Sequence, residues 1–127
     1  GMGCIAFSPL AQGMLSEKYI KTIPKISRAN EGSSLNPKFL TKSYKEKIIN
    51  LKKIADNRNQ TISQMALSWV LRRKEVTSAL IGVRTLKQLN ECLDSLNNLN
   101  FNKKELKSID KFAKDEQINL WSASSKN

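Results

Sequence analysis

Residues able to handle an anion gather in two stretches of this 127-residue chain. The first is Phe7-Ser8-Pro9-Leu10-Ala11-Gln12-Gly13. The second joins Ile81-Gly82-Val83-Arg84-Thr85 to Gln88-Leu89-Asn90-Glu91. Each reads as an apolar strand that runs into a turn and then a helix start. Backbone N–H groups at such a junction point outward and favour negative charge, so they suit a phosphate. Arg84 adds a planar fork that grips phosphate bidentately.

Other chemistries are excluded by what the chain lacks. There is no histidine, which removes Ser-His and Cys-His nucleophile pairs and His-based zinc sites. Cys4 and Cys92 have no metal spacing and read as two buried, reduced thiols. The net charge of +11 would suit nucleic acid if it were clustered. Instead lysines are mixed with acids, as in Lys45-Glu46-Lys47 and Lys103-Lys104-Glu105. They read as solvated helix faces, with an anionic small ligand the next reading and no nucleic-acid partner expected. No apolar run approaches the roughly 20 residues of a membrane span, and no secretory leader is legible. The expected location is cytoplasmic.

Cys4 to Ser8 is a short apolar run bounded by Gly3 and Pro9. It reads as a strand buried on both faces, as parallel strands are. A short irregular or helical segment follows to Tyr19, and then a long loop from Thr22 to Asn36. Asn36-Pro37 offers an N-cap with proline at the first helical position. A helix over about 41–58 places Tyr44, Ile48, Leu51 and Ala55 on one face, and Asn59 ends it. Thr61 with Gln64 forms a capping box for the next helix, whose expected buried stripe is Met65, Ala66, Trp69 and Val70. Val76 to Ile81 is the second strand, broken by Gly82. Thr85 with Gln88 makes another capping box, opening a helix expected to turn Leu86, Leu89, Cys92, Leu93 and Leu96 inward. Asn102 with Glu105 caps a last helix carrying Leu106, Ile109 and Phe112. Trp121, in an irregular tail, is expected to pack on the body or line a ligand. The strand-helix-strand order implies a parallel pair with a right-handed crossover.

Two strand-to-helix junctions in succession match the last two loops of a (β/α)8 barrel, where that fold often holds a phosphate. A whole barrel needs about 250 residues, so at most its final portion fits here. The wording of both stretches, from Gly3 to about Ser125, resembles the C-terminal part of the aldo-keto reductases. In that family the penultimate strand ends in an aromatic residue, then Ser-Pro-Leu and a glycine; Phe7, Ser8, Pro9, Leu10 and Gly13 match. The resemblance implies that Phe7 lies by a nicotinamide ring and that Ser8 and Leu10 contact the pyrophosphate. Lys18 looks like a lysine extended over the phosphates, and Arg28 like a loop arginine near them. After the last strand, Gly82, Gln88 and Glu91 match residues that support the adenosine end of the cofactor. Arg84 stands where serine is common and suits a 2′-phosphate. Cys92 stands where asparagine is usual and leaves the adenine hydrogen bond unsupported. The tail, Asn119-Leu120-Trp121 and Ala123-Ser124-Ser125, looks most like the bacterial branch that reduces glyceraldehyde phosphate, which is similar to the β subunits of voltage-gated potassium channels.

The expected fold is therefore α/β and predominantly helical by content: residues 1–127 as the C-terminal segment of a (β/α)8 barrel, with its last two parallel strands and their flanking helices. The implied function is that segment of an NADP(H)-dependent reductase of aldehydes or ketones. The family's catalytic Asp, Tyr, Lys and His lie on earlier strands, so the chain alone is expected to be inactive and carries no catalytic or metal site. Its partners would be NADPH and a small carbonyl substrate in the full-length context, with association to itself or to the remaining barrel. A regulatory, non-enzymatic protein of the channel β-subunit type is the alternative, and a basic nucleic-acid module ranks below both.

Overall fold

The computed structural model describes residues 1–27, 29–30 and 35–114. Arg28 and the tail with Trp121 lie outside the described residues, so the expectations placed on them are not addressed by it. The described chain forms β1 (Cys4–Phe7), α1 (Lys42–Asn57), α2 (Ile62–Leu71), β2 (Val76–Leu80), α3 (Leu86–Asp94) and α4 (Lys103–Phe112). Four short 3-10 turns, Ala11–Gly13, Glu17–Tyr19, Pro37–Phe39 and Ser95–Asn97, punctuate it.

The helices start where side chains can replace missing backbone partners. The Thr41 hydroxyl accepts from the Tyr44 N–H and opens α1. Thr61 with Gln64 and Asn102 with Glu105 form full capping boxes on α2 and α4. Each such cap is worth about 1 kcal/mol. The box expected on α3 is half made. Thr85 accepts from the Gln88 N–H, but the Gln88 side chain accepts from the N–H of Arg84, one residue earlier than a capping box requires. At the far end of α1, Asn59 adopts φ 54°, a left-handed turn that asparagine tolerates well.

The core is helical. Tyr44, Ile48, Leu51 and Ala55 of α1 are buried, as the periodicity predicts, against Met14 and Tyr19, Ile62 and Met65 of α2, and Ile109 of α4. On α2 the expected stripe is displaced. Met65 is buried, but with Ile62, Leu67 and Ser68, while Ala66, Trp69 and Val70 are half-buried. A polar knot closes the α1–α2 corner. The Arg58 guanidinium, its side chain 2% exposed, pairs with Glu105 at 2.9 Å and lies 3.7 Å over the Phe101 ring. It also donates to the carbonyls of Asn98 and Asn100 and to the Gln60 amide oxygen. Gln60 in turn donates to Ser68, which donates to the Ser95 carbonyl. With its donors matched this way, a buried arginine is tolerable.

β1 and β2 pair in parallel, with Ile5 opposite Ser78, Ala6 opposite Ala79 and Phe7 opposite Leu80. One step is irregular: Cys4 faces Val76, so Thr77 is the extra residue of a bulge. The Thr77 hydroxyl accepts the Cys4 N–H at 3.1 Å. A Cβ on Gly3 would stand 2.8 Å from that hydroxyl, so any other residue would push the Thr77 hydroxyl off the Cys4 N–H.

Here the strand expectation needs correction. The pair is not buried on both faces. Ala6 and Ala79 are half-buried, whereas Ile5, Phe7 and Leu80 on the opposite face are exposed, Phe7 at 64%. Cys4 is exposed too, not a buried thiol. On α3 only Cys92 is buried and Leu89 half-buried; Leu86 and Leu93, and Leu96 in the turn that follows, face outward, Leu86 at 72%. For Ile5, Phe7 and Leu80 the reason is that, among the described residues, no further strand or helix layer covers their face of the sheet. The near-continuous apolar run of β1 is that of a strand with neighbours on both faces.

Candidate functional site

The ends of both strands open into one cleft of about 780 Å³. Its walls include Phe7, Ser8, Pro9, Leu10, Gly13 and Lys18 from the first stretch, and Gly82, Arg84, Gln88 and Glu91 from the second. The folded chain thus brings to one place ten of the eleven residues singled out above, and the eleventh, Arg28, is outside the described residues.

The first wall is a strained loop. Ser8, Ala11 and Gln12 have φ of 49°, 46° and 60°, and Gly13 has 91°. For residues with a Cβ this left-handed region costs about 1–3 kcal/mol each and is held only when surroundings over-determine it. The loop folds back through its own amides: Ala11 to the Ser8 carbonyl, Gly13 and Leu15 to the Leu10 carbonyl, and Met14 to the Ala11 carbonyl. The Leu10 N–H takes no part in that set. Most of the loop's donors are therefore used internally, which shifts the burden of anion binding onto side chains. Lys18 supplies one cation, exposed in the Glu17–Tyr19 turn that Ser16 caps.

The second wall is the start of α3. The Gln88 side chain holds the Arg84 N–H at 2.9 Å, and Thr85 holds the Gln88 N–H. The N–H groups of Leu86 and Lys87, in the first turn, have no intrahelical acceptor. Gly82 meets open space, with nothing within 4 Å of where a Cβ would stand. It is a strand end that leaves the cleft mouth clear, not a backbone requirement.

Two carboxylates border these cations, and each is tied elsewhere. Glu17 pairs with Lys52 of α1 at 3.2 Å. Glu91 accepts the Thr61 hydroxyl at 2.9 Å, joining α3 to the cap of α2. Neither Glu91 nor Gln88 is thus an idle polar group; both hold protein groups at the cleft wall. Cys92 also lines the cleft. Burial, and then the neighbouring Glu91 charge, push its thiol up, so it stays neutral.

Sequence reasoning missed Gln12, Ser16, Glu17, Thr61, Ile62 and Ser63 as cleft residues. Glu17 was signalled by its place beside Lys18; Thr61 to Ser63 come from the N-terminal turn of α2, whose approach to this loop no local pattern announces. Tyr19 and Tyr44 are both buried in the core, away from any role as proton donor. The Tyr44 hydroxyl donates to the Met14 carbonyl at 2.7 Å. Among the described residues there is no cluster of metal-binding side chains and no helix long and apolar enough to cross a membrane.

An arrangement of an aromatic at a strand end, two cationic side chains and a helix N-terminus around an open, half-apolar cleft suits an elongated phosphorylated ligand with a planar ring. The chain is 47% identical over 129 residues to L-glyceraldehyde 3-phosphate reductase of Escherichia coli (strain K12), a match covering 98% of this chain and 37% of that protein. It is 46% identical to the protein of the same description from Escherichia coli O157:H7, again over 98% of this chain and 37% of the relative. The chain therefore spans a little over a third of the length of these relatives. Residues 1–114 match the Aldo/keto reductase family, whose fold is the (β/α)8 barrel, here represented by two parallel strands and their helices. The chain belongs to the aldo/keto reductase family.

Proposed function

We propose that this chain is the C-terminal, cofactor-binding segment of an NADP(H)-dependent aldo-keto reductase that reduces an aldehyde or ketone. One observation carries the reading: the Phe7–Gly13 loop and the Gly82–Glu91 segment, far apart in sequence, form opposite walls of one cleft with Lys18 and Arg84 on it. The residues fit the cofactor. Phe7 offers an exposed aromatic face for the nicotinamide, Lys18 a charge for the pyrophosphate, and Arg84 a fork for the 2′-phosphate. When bound, the cofactor supplies the hydride. The protein's part here is position and charge. Lys18 and Arg84 orient the phosphates, Phe7 and Leu10 exclude water beside the ring, and the Lys52–Glu17 pair keeps a competing carboxylate engaged. The proton donor for the carbonyl oxygen belongs to the barrel portion outside this segment. A phosphorylated aldehyde of the kind named for the relatives is the substrate we assign to the complete reductase.

The test is a fluorescence titration of the chain, alone and mixed with the preceding barrel portion, with NADPH and NADH. Binding of NADPH ahead of NADH, and carbonyl reduction only in the mixture, is expected. Absence of NADPH binding in the mixture would overturn the reading.

A further inference from the structure

The anion loop is built of left-handed residues that do not hold themselves, and two helices remote in sequence reach it with hydroxyl groups. From α1, Tyr44 donates to the Met14 carbonyl at 2.7 Å. From the first turn of α2, Ser63 donates to the next carbonyl, Leu15, at 3.3 Å. Adjacent peptide units at the end of the loop are thus each held by a different helix. Tyr19, the other buried tyrosine, packs its ring 3.8 Å from where a Cβ on Gly13 would stand. Its hydroxyl has no hydrogen-bond partner among the described residues, so Tyr19 fills space beneath the loop and does not anchor it.

We propose that Tyr44 and Ser63 form a hydroxyl clasp that positions the Ser8–Tyr19 loop for the cofactor's pyrophosphate, with Tyr44 as the principal positioning residue. The inference rests on the cofactor reading above but concerns how its loop is set. The clasp adds two hydroxyl ties at Met14 and Leu15 to the loop's internal bonds, the Glu17–Lys52 pair and the core packing of Met14 and Tyr19, which together hold the strained φ angles at Ser8, Ala11 and Gln12. A phenyl ring at position 44 keeps the packing against Ile48 and Met14 and loses only the donor. The buried Met14 carbonyl would then lack its partner, a loss that falls on the loop. The clasp is common to all ligands that use the pyrophosphate. Its loss must therefore weaken NADPH and NADH alike, unlike loss of a group that reads the 2′-phosphate.

Two measurements on the 127-residue chain test this, with Tyr44→Phe and Ser63→Ala as variants. The first is amide hydrogen exchange without cofactor, comparing the Gly13, Met14 and Leu15 amides with Met65 in α2. Tyr44→Phe should speed the loop amides about tenfold, corresponding to about 1.4 kcal/mol, and leave Met65 unchanged. Ser63→Ala should do the same, more weakly and centred on Leu15. The second, on the chain mixed with the preceding barrel portion, is titration with NADPH and with NADH, whose dissociation constants should rise together, about tenfold, in Tyr44→Phe. Loop and α2 amides speeding up together would mark a merely structural role and overturn the proposal. So would a loop that loosens while cofactor affinity stays constant. If Tyr44→Phe does not fold, unchanged loop exchange in Ser63→Ala overturns it. If the wild-type chain mixed with the preceding barrel portion binds neither cofactor, with the exchange pattern as expected, the cofactor reading falls and the clasp stands.

Discussion

At the scale of single residues, the two cations of the cleft should be separable by cofactor. A charge-assisted hydrogen bond is worth roughly 1.5–3 kcal/mol. Arg84→Ala should therefore weaken NADPH tenfold or somewhat more and leave NADH nearly unchanged, whereas Lys18→Ala should weaken both; parallel fluorescence titrations read the difference. Equal weakening of both cofactors by Arg84→Ala would make Arg84 a solvent-facing arginine and nothing more. The thiols should differ as well. Cys4 is exposed, while burial holds Cys92 neutral. A colorimetric thiol reagent at pH 8 should titrate one fast and one slow group, and Cys4→Ser should abolish the fast phase. Tyr44 gives a pH dependence with a definite sign. Burial, with Tyr19 beside it, raises its phenol above the ordinary value of 10.0. The folded chain then keeps a proton that the unfolded chain releases, so stability is intact below pH 10 and falls as pH rises above it. Melting curves from pH 8 to 11 should show a steeper alkaline decline for the wild type than for Tyr44→Phe. The residue types of the cleft were legible because Ser-Pro-Leu-x-x-Gly and Gly-x-Arg are local words. The engagements of Glu17 with Lys52 and of Glu91 with Thr61 were not, since they join residues 35 and 30 positions apart.

At the scale of elements, the helix starts were the most readable part of the chain. Thr41, Thr61 and Asn102 cap α1, α2 and α4 through bonds spanning three residues, and such bonds are written in the sequence. The orientation of a helix is another matter. The apolar positions of α3 pointed inward by pattern, yet Leu86, Leu93 and Leu96 have nothing to pack on among the described residues. A moment gives a face, and only the neighbours decide whether that face is covered. The α1–α2 corner shows the same limit from the polar side. Nothing local marks Arg58 as buried, because its partners Asn98, Asn100 and Glu105 are about 40 residues away. Removing this arginine leaves Glu105 Oε1 and the Asn100 carbonyl without their donor, while the Asn98 carbonyl keeps Gln60. Arg58→Ala should cost about 3–5 kcal/mol, as breaking one side of a buried pair does. Urea unfolding would check it, and a loss under 1 kcal/mol would mean that water replaces the guanidinium freely.

At the scale of the whole molecule, the sheet is the exposed part. Its face with Ile5, Phe7 and Leu80 is apolar and, among the described residues, bare, and the two strands described leave two open edges. The isolated chain should therefore self-associate at micromolar concentration by sedimentation, and Ile5→Lys should shift it toward monomer; a wild-type monomer at all concentrations would contradict this. Membership of a barrel family was legible in the sequence. The bareness of this face was not, because strand composition records the neighbours of the complete fold. One small feature at the far end of the sheet bears on the cleft. Gly3 passes so close to the Thr77 hydroxyl that any side chain there would collide, and the bulge fixes how β1 sits along β2. The contact acts as a gauge stop. Sliding β1 by two residues would keep every side chain on its face, yet carry Ser8 about 6.6 Å along Gly82. That is more than the length of a phosphate group, so the spacing between the two anion-binding walls is calibrated by a glycine that touches neither.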